Sequence, residues 1–413
     1  MTGLLVRLVA VLALLFSAGC GAGADSDGRA ASVLRVQAAG GEGELGAVRE
    51  VVEAFEAANP GVQVDFTGVA EQGDHLARLT AGFAAGNPPD VFLLNYRRIG
   101  PFVAKSVVAP VPDDTDVSGF YAPPVAAFTS AGALQCLPQN VSSSVVYVNE
   151  DLFAQAGVAL PPVSGWTWQE LRDVAGRLAS KQVEAIGFAP SLRTVAPFVW
   201  SAGGEVVDDE ERPRRITLDS APGRQALRFL TDLQQFGFDA RQRAGQDVQD
   251  AFGAGRIAML LDSRRAVPAF RKSGIAFDVR PFPKDRSSSS LLAADGWCVS
   301  KRSKLRALAH RFAAFTTGDI GGKVLAESGR SVPVAQSLAQ SAAFLDPNQR
   351  PRSSEVFLDA IARVRRLPSV AAQDEAEEVA DDLLQQHFAG RLPLDEVVRA
   401  VEKATAVVYA ARR

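Results

Sequence analysis

The chain has little of what most catalysts and nucleic-acid binders rely on. Of its 413 residues three are histidine, three cysteine and two methionine. His75, His310 and His387 lie far apart, at neither metal-ligand nor triad spacing. There is no phosphate-cradling glycine loop and no nucleophile elbow. A glycosidase would need two carboxylates about 5–10 Å apart, but the one acidic run, Asp208-Asp209-Glu210-Glu211, reads as a solvated loop. No enzyme, metal site or cofactor is therefore expected. Charge of one sign is also lacking: 44 Lys and Arg oppose 47 Asp and Glu, a net charge of −3. The basic residues are spread along the chain, which argues against a nucleic-acid partner. After the N-terminus no apolar run reaches the ~18–20 residues of a membrane span, and no repeat of ~20–50 residues is visible.

What is present is ordinary globular composition, 47% hydrophobic and 22% charged, on a chain long enough for two core-bearing domains. The first residues stand apart. Arg7 precedes a short apolar run, 8–16, then Ser17-Ala18-Gly19 and Cys20. Residues 1–19 are predicted to be a signal peptide. The join resembles a bacterial lipobox, whose cysteine is diacylated, although Ser17 stands where leucine is usual. A plain signal peptide is the alternative. With Cys20 lipidated, 20–32 forms a flexible tether. The mature chain is then exported, anchored to the outer face of the cytoplasmic membrane or held in the periplasm. An oxidising compartment permits a disulfide between Cys136 and Cys298; two small buried thiols are the alternative.

Along the chain, 33–37 is β-prone, and Leu45, Val48, Val52 and Phe55 recur at helical spacing until Asn59-Pro60-Gly61. Val62, Val64 and Phe66 alternate as in a strand. Leu76, Leu79 and Phe83 mark a helix, and 90–94 is a continuous apolar strand. The β-α-β-α-β-α order over 33–105 predicts a parallel, doubly wound sheet. After a proline-rich transition at Pro110, Pro112, Pro123 and Pro124 comes a second α/β block. It has extended runs at 134–138, 144–148, 185–188, 256–261, 276–281 and 290–300. Its helices are a capped one opening at Thr167-Trp168-Gln169-Glu170, then 192–202, 221–236 and 248–253. From 303 the chain reads as helical: 303–317, 319–328, 353–365, 374–389 and 393–410.

Several stretches, in order, resemble the family 1 extracellular solute-binding proteins of ABC transporters, the sugar-binding relatives of maltose-binding protein. They are GGEGELGAVREVVEAFEAANPGVQV (40–64), AGNPPDVFLLNYRRIG (85–100), LPQNVSSSVVYVNEDLFAQAGV (137–158), GWTWQEL (165–171), FVWSAGGEVVDD (198–209), GRIAMLLDSRR (255–265), GWCVSKRSK (296–304) and GRSVPV (329–334). The resemblance spans 33–410. It implies an α/β, two-lobed, type II periplasmic-binding-protein fold, each lobe a sheet flanked by helices, with a hinge of crossing strands. Lobe 1 is expected at 33–138 plus 300–350, and lobe 2 at 139–299 plus the C-terminal helices of 351–413. Cys136 and Cys298 would fall on neighbouring crossing strands, where a bridge is feasible. The implied role is capture of a sugar or oligosaccharide in the interlobe cleft by a monomer, and delivery to ABC permease subunits. Other polar solutes, an acidic sugar or a glycerol-phosphate compound, and a sensory role are the alternatives.

In such sheets ligands bind where strands end and polar loops emerge. Asn95, Tyr96 and Arg97 follow an apolar run in this way: Tyr96 offers an aromatic plate and Arg97 a planar fork. Arg98 is expected to face solvent or pair with an acid. Gly41 and Glu42 follow the first strand, where glycine admits a ligand close to the backbone; a simple turn and helix start is the alternative. Gln139, Asn140 and Ser142 are polar residues where the chain enters lobe 2, facing either ligand or hinge backbone. The resemblance adds Trp200 and Gly204 at a helix end, Asp262 and Arg264 after a strand, Asp295 and Trp297 before the return crossing, and Arg330. Trp200 has a core position as its alternative, while Trp166 and Trp168 are assigned to packing and capping. Relatives often carry tryptophan after the position of Leu367-Pro368. Here the run 368–373 is PSVAAQ, which removes one aromatic plate.

Overall fold

The computed structural model describes residues 32–237 and 247–411. The predicted signal peptide, Cys20 and nearly all of the tether lie outside the described residues; Ser32, expected to end the tether, opens the first strand.

Two sheets organise the chain. In the first, Ser32–Ala39 pairs in parallel with Val62–Val69 on one side and Val91–Asn95 on the other. Helices Glu42–Ala58 and Gln72–Ala84 make the crossovers. The helical-period residues Leu45, Val48, Val52 and Phe55 are buried against the sheet, where Phe55 meets Phe312 and Phe315 edge-on. The parallel order ends there. Asp295–Ser300 runs antiparallel beside Val91–Asn95, and it also pairs with Val108–Ala109 and Leu137–Pro138. The three strands of 32–95 are parallel as expected, and among the described residues Asp295–Ser300 is the one strand of this sheet that runs against the rest. The expected boundary at 299/300 cuts a strand that belongs wholly to the first sheet. Trp297 and Val299 on that strand are buried in the first-lobe core, which fixes its place.

The second sheet has the order Glu184–Phe188, Ile257–Ser263, Ser144–Asn149, Phe277–Arg280. Its outer pair is parallel, and Ser144–Asn149 is antiparallel to both neighbours. Trp168–Ala179 begins with the predicted capping box: Thr167 and Glu170 bond reciprocally. Trp166 Nε1 donates to Pro281 O at 2.8 Å. Helices Gln373–Phe388 and Leu394–Ala411 pack on each other and on Leu192–Ser201 and Ala221–Gln234, within the core of the second lobe.

The chain crosses between the sheets beside itself. Residues 137–138 belong to the first sheet, Asn140–Val141 pairs with Val332–Pro333, Ser142 bridges Ala293, and 144–149 enters the second sheet. Cys136 and Cys298 are joined by a disulfide where these crossings start. A third crossing departs from expectation. The predicted helix 353–365 stops at Ile361, and Val364–Arg365 pairs in parallel with Ser290–Leu291. Leu292 N–H donates to Arg365 O, so the last residues are extended by hinge pairing rather than coiled by their own periodicity.

Candidate functional site

Between the sheets lies a cavity of about 490 Å³ at which loops from both lobes converge. From the first lobe come Asn95, Arg97, Arg98, Arg330 and the start of the Gln72 helix; from the hinge, Asn140, Ser142 and Asp295. The second lobe supplies Ser191, Arg193, Thr194, Gln249, Asp262 and Arg265. The walls combine amides, hydroxyls, guanidiniums and carboxylates with aliphatic patches at Val248, Leu261, Leu291 and Leu292, and Phe282 is the aromatic residue among them.

Asp295 is fixed at the hinge by two amides. Its carboxylate accepts from Asn95 Nδ2 at 3.0 Å and Asn140 Nδ2 at 3.2 Å, and its N–H donates to Asn140 Oδ1 at 2.9 Å. One acceptor is thereby presented to the cleft in a fixed orientation, and both lobes' crossings are tied to it. Opposite, Asp262 accepts from Gln249 Nε2 at 2.6 Å and from Ser263 N–H at 2.6 Å; burial raises its pKa.

The arginines divide into two kinds. Arg97 is buried and ion-paired with Glu377, Arg98 lies 3.7 Å from Asp374, and Arg330 pairs with Glu44 at 2.5 Å. Burial pushes Glu44 up to about 7 despite Arg330, with Asp295 adding to the rise. Arg193 and Arg265 open onto the cavity, and neither has a hydrogen bond or ion pair among the described residues. Arg193 occupies the first turn of Leu192–Ser201, whose cap is Ser191 accepting from Thr194 N–H. Enclosure by the cleft walls, and then Arg97 nearby, lowers the pKa of Arg193, with Arg265 adding to it.

Of the sequence candidates, the cavity brings together Asn95, Arg97, Asn140, Ser142, Asp262, Asp295 and Arg330. The others lie elsewhere, and the aromatic plates fail as a group. Tyr96 is buried, and its Oη accepts from Leu367 N–H at 3.1 Å; burial raises its pKa. Trp297 is 1% exposed and packs edge-on against Phe312 in the first core. Trp200 is 3% exposed, with the Arg365 guanidinium 5.1 Å over its ring. Large apolar rings gained more from the cores than the cleft could offer them. Arg264 points away from the cavity: it is fully buried between Phe344 and Phe357, and burial lowers its pKa to about 9. Gly204 serves packing, since a Cβ there would lie 2.6 Å from Pro222 Cβ. Gly41 and Glu42 are exposed outside the cavity. The neighbouring residues matter instead: a Cβ on Gly40 would fall 1.9 Å from Glu44 Oε2. Gln139 is held in the hinge, where its N–H donates to Asp295 O.

A model of the family described as bacterial extracellular solute-binding protein matches residues 39–323. The chain belongs to that family. A protein of Brucella abortus (strain 2308), named only as a binding protein, is 28% identical over 224 residues, 51% of this chain and 53% of that one. The sn-glycerol-3-phosphate-binding periplasmic protein UgpB of Escherichia coli (strain K12) is 30% identical over 158 residues, 36% of each chain. The matches thus span about half, or less, of the curated relatives' length. The fold is that of a solved ABC substrate-binding protein from Listeria monocytogenes in complex with cycloalternan. That structure has a TM-score of 0.81 at 22% identity, with 92% of this chain and 98% of that one covered. Among the described residues, no helix of this solute-binding protein is long and apolar enough to cross a membrane.

Arg193, Arg265 and Gln72 line the cavity but are not among the sequence candidates. Ser191-Leu192-Arg193-Thr194 carried a usable signal: a serine cap starting an apolar helix puts the residues of its first turn at a sheet edge. Arg265 follows Arg264, the residue that the resemblance singles out. The 3-10 turn after Ser263 sends Arg264 inward and Arg265 to the cleft, which a strand pattern does not reveal.

Proposed function

We propose that this solute-binding protein captures a sugar-like, hydroxyl-rich solute between its two lobes and hands it to the permease of an ABC importer. The observation that carries the reading is the cavity at the hinge, where amides and carboxylates from both sheets converge: Asn95, Asn140 and Asp295 on one side, Asp262 and Gln249 on the other. Such a set suits the alternating donors and acceptors of a polyol. Binding calls for no bond-breaking step. It calls for a closed state stabilised by contacts to both lobes. The Listeria structure holds cycloalternan, and family membership supports an extracytoplasmic place of action. In this reading the chain is a monomer, held at the membrane through lipidated Cys20, with lobe limits moved so that 295–300 lies in the first.

A second observation narrows the solute. The cleft offers Phe282 but none of the expected tryptophan or tyrosine plates, so long neutral oligosaccharides are poorly served. The partial likeness to UgpB points towards small acidic polyols. Small-angle scattering with calorimetry across a panel of sugars, sugar acids and sugar phosphates tests the reading. It expects at least one compound to bind at micromolar concentration or below and to compact the protein. Release of a cleaved product from an oligosaccharide would instead establish an enzyme, and a signalling role would show as ligand binding without import.

A further inference from the structure

The cleft holds two guanidiniums that are left unmatched among the described residues. Arg193 and Arg265 both come from the second lobe, one from the first turn of Leu192–Ser201 and one from the turn after Ile257–Ser263. The carboxylates around them are committed elsewhere. Asp262 is bonded to Gln249 and Ser263, Asp295 to Asn95 and Asn140, Asp247 to the N–H groups of Gln249 and Asp250, Glu44 to Arg330, Glu377 to Arg97 and Gln373, and Asp381 to Leu192 N–H at 2.6 Å. No hydrogen bond or ion pair among the described residues joins either arginine to any of them. Both side chains are exposed to the cleft, and closing the lobes over a solute would take them out of water, where a cation without a partner is costly. No described residue supplies that partner here. A guanidinium fork fits the paired oxygens of a phosphate or carboxylate, and water is a poor substitute once the cleft closes. Ser191 and Thr194 add hydroxyls on the same wall.

We propose that the captured solute carries an oxyanion, a phosphate ester or a carboxylate on its polyol frame, and that Arg193 and Arg265 receive it. The inference rests on the capture reading above and names the class of solute. The oxyanion lies against the second lobe, while the hydroxyls face Asn95, Asn140 and Asp295. The first-lobe arginines take no direct part, because Glu377, Asp374 and Glu44 occupy them. The crowding of Arg193 by Arg97 and Arg265, only partly countered by Glu377 and Asp381, is what a bound anion would offset.

The test uses the full chain, stripped of co-purified solute by unfolding and refolding, with matched pairs: sn-glycerol 3-phosphate against glycerol, glucose 6-phosphate and glucuronate against glucose. Calorimetry is expected to show the charged member of at least one pair binding tenfold or more tightly than its neutral counterpart, with affinity falling as salt rises. Arg193→Gln and Arg265→Gln should each erase most of that preference at unchanged melting temperature. Arg265→Lys should recover part of it, and Arg212→Gln, on the exposed loop, should leave the preference intact. Preference for the phosphates or for glucuronate separates the two sources of oxyanion. Mass spectrometry of the solute released from native protein decides independently. A neutral native solute, or neutral sugars that compact the protein as tightly as charged ones, overturns the oxyanion and leaves capture standing. Binding of the charged compounds that survives both substitutions also overturns it. If neither the released material nor any compound compacts the protein, the capture reading fails with it.

Discussion

The two lobes present arginine to the cleft in opposite ways. Arg97, Arg98 and Arg330, from the first, each have a carboxylate partner. Arg193 and Arg265, from the second, have none among the described residues. Two of the first-lobe partners, Glu377 and Asp374, sit on the helix Gln373–Phe388, which packs on the second lobe. Those pairs therefore act between lobes, as does the bond from Leu367 N–H to Tyr96 Oη. Residue type alone does not make a binding residue. The same guanidinium closes the molecule on one wall and is free for a guest on the other.

The sharpest break of that comparison is at the buried pair. Glu377→Ala strands Arg97 without its partner and is expected to cost about 3–5 kcal/mol, measured by denaturant unfolding. A loss well below 1 kcal/mol would mean the interlobe pair is dispensable. Next is the disulfide at the start of the crossings. Replacing Cys136 and Cys298 with alanine should cost about 2–4 kcal/mol while leaving solute affinity within a few-fold, because neither sulfur reaches the cavity. The third break uses pH. Glu44 keeps its proton in the folded state to about 7, against 4.5 ordinarily, so its contribution to stability is whole below its unfolded pKa and is lost as pH rises through about 7. Asp381, raised to about 6 by burial, acts in the same direction. Melting from pH 5 to 8 should therefore show a decline that Glu44→Gln flattens by about 1–3 kcal/mol without abolishing it. The smallest effect is at Arg98, whose pair with Asp374 is longer and partly solvated. Arg98→Ala should cost less than about 1 kcal/mol, an amount that added salt should diminish.

The order of helices and strands was legible because apolar spacing and caps are local: Leu45 to Phe55, the Thr167 capping box and the run before Asn95 all fold as their periods indicate. The antiparallel insertion of 295–300 was not, since its partners lie some 200 residues away, as Asn95 does from Asp295. In the polar part of the cleft, Asn95 could be read from where a strand ends and Asn140 from the chain's entry into the second lobe, while Asp262 and Asp295 came with the family resemblance. Its aromatic part could not. Whether Trp200 or Trp297 faces a guest or a core depends on which sheet face the strand or helix turns inward, and both cores had room for them. Arg264 and Arg265 differ by one residue and point to opposite environments, a choice made by the turn between strand and helix.

Hydrogen exchange with and without the native solute tests the central claim most directly. A guest clamped between the lobes should slow exchange together at 95–98, 140–142, 191–194 and 262–265, the edges that meet at the cavity. Protection confined to one sheet's loops, or found only away from the cavity, would contradict it.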